Sequence, residues 1–155
     1  MAKSDSRTDY NCALRLRVRW AEVDMQKIVF NGHYLTYIDT AFAEYFRAIG
    51  LAYPDGYVDK YASDIFLRKA AVEYLGSAHY DDELCVHARV ARLGRSSMTF
   101  AFEIWREQPE PSAAPLITAE LVYVNADPKT MKAAPLPDDV RARVRTHERT
   151  SPVEN

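Results

Sequence analysis

The chain has little of what marks the specialised protein classes: two cysteines, five glycines and almost no excess charge in 155 residues. Cys12 and Cys85 have no CxxC spacing and are too few for a disulfide-stapled secreted scaffold, so free thiols in a reducing compartment are expected. Five glycines and eight prolines rule out a fibrous repeat, and 48% hydrophobic residues rule out a disordered chain. No apolar run approaches the roughly 18 residues of a membrane span. Met1–Arg7 has no apolar segment of the kind a secretory signal carries. With 20 basic against 22 acidic side chains, the net charge of -2 gives no electrostatic reason for a nucleic-acid partner. The expectation is one cytoplasmic domain, long enough to bury a core unaided, with neither membrane nor nucleic acid among its partners. Aromatic residues, by contrast, are plentiful, with ten tyrosines and six phenylalanines.

The periodicities outline the fold. Residues 1–12 are polar and read as a flexible arm. Leu14, Leu16, Val18 and Trp20 then alternate with Arg15, Arg17 and Arg19, which predicts a strand with one buried and one cationic, wetted face. From Asn31 to Gly50 the spacing changes to three and four. Tyr34, Ile38, Ala41, Phe42, Tyr45 and Ile49 form a stripe that Leu35, Tyr37 and Phe46 widen, and a helix this broadly apolar must be wrapped by other structure. Asn31 suits its N-cap and Gly50 its C′ position. Residues 51–64, with Pro54-Asp55-Gly56, read as a turn-rich connection. Four further alternating runs follow, at 66–75, 84–90, 98–105 and 117–124. The connections at Gly76–Glu83 and Gly94-Arg95 are short enough to join antiparallel neighbours. Asp138 and Asp139 open a short helix, and the residues from about 146 read as a second flexible tail. One domain over 13–145 is expected, an α+β fold in which a sheet of about five strands curls around one long helix.

The segment between the first strand and the helix carries the chemistry. Asp24 lies in a loop just ahead of a helix start. The first N–H groups of a helix have no internal partner and sit at the positive end of its dipole. They can hold a carbonyl oxygen that gains charge in a transition state, and a nearby carboxylate can attack that carbonyl or activate water beside it. An aspartate ahead of a helix also serves as a cap or a solvated loop residue. Ser96 and Ser97 lack a nucleophile elbow and read as a hairpin turn. His79-x-Asp81-Asp82-Glu83 has no second histidine nearby and reads as a solvated turn, with no metal expected.

The run Arg19-Trp20-x-Glu22-x-Asp24-x5-Phe30-x3-Tyr34, leading into Tyr37-x-Asp39-x-Ala41-x2-Glu44-Tyr45-Phe46, resembles the acyl-CoA thioesterases of the hot-dog fold, in the hydroxybenzoyl-CoA thioesterase-like branch. Leu93-Gly94-Arg95-Ser96-Ser97-Met98-Thr99-Phe100 and Val122-Tyr123-Val124-Asn125, followed by Pro135-Leu136-Pro137, resemble the same branch. The resemblance implies a long central helix wrapped by a curved antiparallel sheet, and hydrolysis of an acyl-CoA thioester to a carboxylic acid and free coenzyme A. It implies Asp24 as nucleophile or general base, and the backbone N–H groups of Asn31 and Gly32 as oxyanion donors. Relatives often carry Tyr or His where this chain has Asn31. Val29, Phe30 and Tyr34 are the implied acyl-pocket walls, and Arg92, Arg95 and Lys69 are candidates for the coenzyme A phosphates. No separate cofactor is implied, and a homodimer or homotetramer is. His33 is a candidate proton shuttle or a first-turn histidine facing solvent, and Asp39 and Glu44 are helix acids of the kind another thioesterase branch uses. The rival readings are an enoyl or hydroxyacyl thioester hydratase and a non-catalytic acyl-CoA-binding protein.

Overall fold

A computed structural model describes residues 5–155. In chain order the elements are β1 (Cys12–Arg17), α1 (His33–Ala48), α2 (Asp55–Tyr61), β2 (Asp64–Tyr74), β3 (Glu83–Leu93), β4 (Ser97–Gln108), β5 (Ile117–Ala126), α3 (Asp138–His147) and β6 (Val153–Glu154). The sheet order is β1-β3-β4-β5-β2, all antiparallel, and β6 adds to β3 in parallel. One row of residues crosses it from edge to edge: Leu14, Val86, Ile104, Ile117 and Tyr74. Helix α1 lies in the curve of this sheet, which is the hot-dog arrangement that the breadth of its apolar stripe demands.

Burial explains the aromatic richness. Tyr34, Tyr37, Ile38, Ala41, Phe42, Tyr45 and Phe46 are all buried on α1. Phe42 stacks on Tyr123 with centroids 4.3 Å apart, and Tyr45 meets Phe100 edge-on at 5.0 Å. Such pairs add about 0.5–1.5 kcal/mol each beyond the burial of area. The helix ends as its sequence predicts. Gly50 takes φ +80°, Leu51 N–H donates to the Phe46 carbonyl and Gly50 N–H to that of Arg47. This pair of hydrogen bonds closes a Schellman motif with Leu51 and Phe46 both in the core.

Several expectations change. β1 stops at Arg17 because Val18 N–H still donates to the Asp82 carbonyl opposite it but the Asp82 N–H turns back to the His79 carbonyl, and Trp20 enters a 3-10 turn where it is 83% exposed. The arginines of β1 do face outward, paired with Glu107, Asp81 and Glu83. The connection 51–64 contains α2, anchored by the buried Tyr57, whose hydroxyl donates to Asn125 Oδ1 at 2.8 Å. The segment from Gly76 does not join neighbours. β2 pairs with β5 on the far side of the sheet, so 76–82 crosses the sheet end.

The two expected tails also differ. Residues 1–4 lie outside the described residues. From Asp5 onward the arm packs on the outer sheet face, with the Arg7 guanidinium over Trp105 at 4.1 Å and Tyr10 buried against His87. This cover explains why Ile104 and Trp105, on opposite faces of β4, are both buried. At the other end Glu148 is buried, and Val153–Glu154 pair with Arg92 and Leu93. Arg145 holds Glu154 at 2.6 Å. A polar composition suggested a loose end, but the ion pairs and one buried carboxylate tie it down.

Candidate active site

The loop that carries Asp24 is a small closed hairpin. Val23 and Val29 form a bridge, Asp24 N–H donates to the Ile28 carbonyl, and Lys27 N–H returns to the Asp24 carbonyl. Lys27 takes φ +65° to complete the tight turn. Asp24 Oδ1 accepts the Gln26 N–H at 2.7 Å, an Asx turn that orients the carboxylate. Its other oxygen accepts no hydrogen bond among the described residues.

Two long-range contacts set this loop against the helix start. Val29 N–H donates to the Ala78 carbonyl, and Ala78 N–H donates to the Tyr34 hydroxyl at 3.0 Å. The crossover from β2 to β3 is thereby pinned between loop and helix. Burial pushes the Tyr34 phenol pKa up, against the pull of the Ala78 N–H. The Tyr74 hydroxyl, at the end of β2, donates to the Asn31 carbonyl at 3.2 Å.

The helix does not begin as expected. Asn31 is not a side-chain cap: Gly32 precedes the helix with φ -66° and ψ -25°, and no side chain caps the terminus. Helical geometry has already started there, with His33 N–H bonded to the Phe30 carbonyl. The N–H groups of Asn31 and Gly32 have no backbone acceptor among the described residues. They remain free for a ligand oxygen at the positive end of a 16-residue helix.

Asp24, Gln26, Ile28, Val29, Asn31, Tyr34 and the segment Tyr74–Ser77 line one cavity of about 490 Å³. Asp24, Asn31, Val29 and Tyr34, singled out from the sequence, thus converge on one space. Phe30 does not join them: it is 49% exposed, with its ring against His33, and neither Gly32 nor His33 lines the cavity. Lys69 and Arg92 share a different cross-sheet row, through Val122 and Thr99. That row is five residues up β2 from Tyr74, about 17 Å at the usual rise. Arg95 sits at the β3–β4 turn, so none of the three cations lines the cavity.

Tyr74, Leu75, Gly76 and Ser77 form a wall that the sequence reading missed, because they approach Asp24 only through the β2–β5 pairing and the crossover. Glu22 was missed as well. It is 5% exposed and accepts the Tyr37 hydroxyl and the Arg19 N–H and guanidinium. Burial alone would raise its pKa, but these donors together hold it below the ordinary value. Its signal in the sequence was its place in the motif, two residues before Asp24.

Comparisons with known proteins bear on the family and the fold. The profile of the Thioesterase superfamily matches residues 26–113. A curated relative from Aquifex aeolicus, named "Putative esterase", is 31% identical over 93 residues, 60% of this chain and 71% of the relative. A Thermus thermophilus thioesterase, solved in complex with coenzyme A and Zn, superposes with a TM-score of 0.74 at 25% identity, covering 90% of this chain and 95% of that one. A 1,4-dihydroxy-2-naphthoyl-CoA thioesterase from Synechocystis has a TM-score of 0.76 at 19% identity over 86% and 94% of the two chains, a likeness of fold. With the profile covering more than half of its length and the helix-in-sheet architecture matching throughout, this chain belongs to the Thioesterase superfamily.

Proposed function

We propose that the protein hydrolyses an acyl-CoA thioester to a carboxylic acid and free coenzyme A. The observation that carries this reading is the meeting, in one cavity, of a carboxylate with a free oxygen and a helix start with unspent N–H groups. The thioester carbonyl would sit against the N–H of Asn31, the helix-start donor that lines the cavity, which stabilises the charge that develops on its oxygen. Asp24 then attacks the carbonyl carbon, or takes a proton from the water that does, and the coenzyme A thiolate leaves. An anhydride formed by direct attack is opened by water in a second step. No cofactor enters either route. The cavity volume is within the usual range for small-molecule sites. Val29 and Tyr34, both 2% exposed, are its rigid walls. That the Thermus relative was solved with coenzyme A supports a substrate of that kind.

The cavity opens beside β2, whose outer edge pairs with nothing among the described residues and which leaves Leu67 and Tyr74 about half exposed. Such an edge is ordinarily covered, and a second copy of the chain is the cover we propose. Arg92, Arg95 and Lys69 remain candidates for the coenzyme A phosphates in that assembly, since within one chain they lie away from Asp24.

The test is thiol release from short, long and aromatic acyl-CoAs by wild type, Asp24→Asn and Asp24→Ala. Asn retains the acceptor for the Gln26 N–H, so the loop should stand while kcat falls by about 10²–10⁴. Full activity in both variants would sink the assignment of Asp24. Tight binding of acyl-CoA without release of thiol would favour a binding protein, and loss of the enoyl absorbance of an enoyl-CoA run alongside, without free thiol, a hydratase.

A further inference from the structure

Glu22 is a buried carboxylate next to the cavity that the proposed reaction does not use. Its Oε1 accepts the Arg19 N–H at 2.8 Å and the Tyr37 hydroxyl at 2.9 Å, and its Oε2 accepts the Arg19 guanidinium at 3.0 Å. Its backbone carbonyl accepts the Phe30 N–H at 2.9 Å. One residue therefore joins three segments: the turn after β1, the chain entering α1, and the second turn of α1 itself. Asp24 stands two residues after Glu22. Asn31, with its free N–H, directly follows Phe30. Tyr37 is one turn beyond Tyr34, and the two rings meet edge-on at 6.0 Å. The carboxylate carrier and the carbonyl-binding end of the helix are both fastened to Glu22.

We propose that Glu22 is a positioning residue, whose carboxylate holds the Asp24 loop at its working distance from the start of α1 through Tyr37. The proposal rests on the thioester-hydrolysis reading above. Glu22 touches no reacting atom. Its effect comes through geometry, and misplacement of reacting groups by about 1 Å can lower a rate a hundredfold. Arg19, whose side chain is 78% exposed, is the dispensable partner, because its guanidinium can turn to water. Tyr37, 4% exposed, is the partner whose hydroxyl has no such escape.

The test compares Tyr37→Phe, Glu22→Ala, Glu22→Gln and the Tyr37→Phe/Glu22→Ala pair, with Asp24→Ala as reference, all well below their melting temperatures. Tyr37→Phe keeps the ring and its packing, so it remains informative if Glu22→Ala fails to fold. Tyr37→Phe and Glu22→Ala should each lower kcat at least about tenfold with KM within about twofold. The pair should be no worse than the more damaged single variant, because both cut the same link. Glu22→Gln, whose carbonyl can still accept the Tyr37 hydroxyl, should recover most of kcat. A role in stability alone would lower the melting temperature and leave kcat per folded molecule unchanged, and that result overturns the proposal, as would losses confined to KM or additive in the pair. If Asp24→Ala is inactive while Tyr37→Phe keeps full kcat, positioning fails and the hydrolase reading stands. If wild type releases no thiol, or Asp24→Ala releases it at the wild-type rate, both fail.

Discussion

Glu148 follows α3 and reaches between α1 and β3, where Oε1 accepts the Tyr45 hydroxyl at 2.6 Å and the Val90 N–H at 2.9 Å. Both donors belong to residues with no exposed surface. Glu148→Ala strands them, at about 1–3 kcal/mol for each buried donor left without an acceptor. Removing a desolvated carboxylate returns part of that, so the net loss should be about 2–4 kcal/mol, or roughly 5–15 °C in melting temperature for a domain of this size. Glu148→Gln keeps a carbonyl for both donors and should lose less. Its second outcome depends on pH. Burial pushes the Glu148 carboxyl above its ordinary value of 4.5, although Tyr45 and Val90 pull the other way. The folded state therefore keeps a proton that the unfolded chain has already released. The stability from this group is complete below about pH 4.5 and is lost as pH rises through the raised value. Glutamine has no such dependence, so the melting temperature of Glu148→Gln relative to wild type should climb between pH 4.5 and pH 8. Thermal melts followed by circular dichroism across that range are the assay. A Glu148→Ala melt within about 2 °C of wild type, or a Glu148→Gln loss as large as that of Glu148→Ala, would refute this account.

Two further outcomes follow from local geometry. Gly50→Ala forces a Cβ into the left-handed region, at about 1–2 kcal/mol, and 2.8 Å from the Arg143 guanidinium that donates to the Ile49 carbonyl. Its urea midpoint should fall accordingly, with the slope of the transition unchanged. His87 and His147 each bury an Nε2 that has no partner among the described residues, and burial lowers both pKa values from 6.5. The folded state refuses a proton that the unfolded chain accepts, so stability present above pH 6.5 is lost as pH falls below it. The double variant His87→Gln/His147→Gln should show a shallower fall in melting temperature from pH 7 to pH 5 than wild type, and an equally steep fall would count against this origin.

The parts of the fold that sequence reading reached are those whose cause is local. The Arg15, Arg17 alternation, the stripe from Tyr34 to Ile49, the Gly50 terminus and the Gly94 hairpin each follow from period or backbone preference over a few residues. Trp20 continued the alternation yet faces water, because the ladder ends where the Asp82 N–H turns back to the His79 carbonyl, and no alternation in β1 records a turn made by its partner segment. The pairing of β2 with β5 was equally hidden, and with it the wall from Tyr74 to Ser77. Asp24, Val29, Asn31 and Tyr34 were legible as a cluster because they lie within eleven residues of one another in the sequence. Phe30 was misplaced for the opposite reason: its neighbours line the cavity while its own ring turns out to His33. Glu148 looked like one more charge in a polar tail, and its burial depends on Tyr45, 103 residues away.

The order of strands bears on how the chain fares while it is being made. Helix α1 is complete once Ala48 has been added, but β1 and β2 stand at opposite edges of the sheet and cannot cover it together. The strands that close over Phe42 and Tyr45 begin with β3, which ends at Leu93. At about 5–20 residues per second, those 45 residues (93 − 48) take roughly 2–9 s. For that interval the nascent chain has only β1 and the Tyr53–Tyr57 segment to set against its most aromatic surface, which makes α1 the segment most in need of a chaperone or of a ribosome that does not pause.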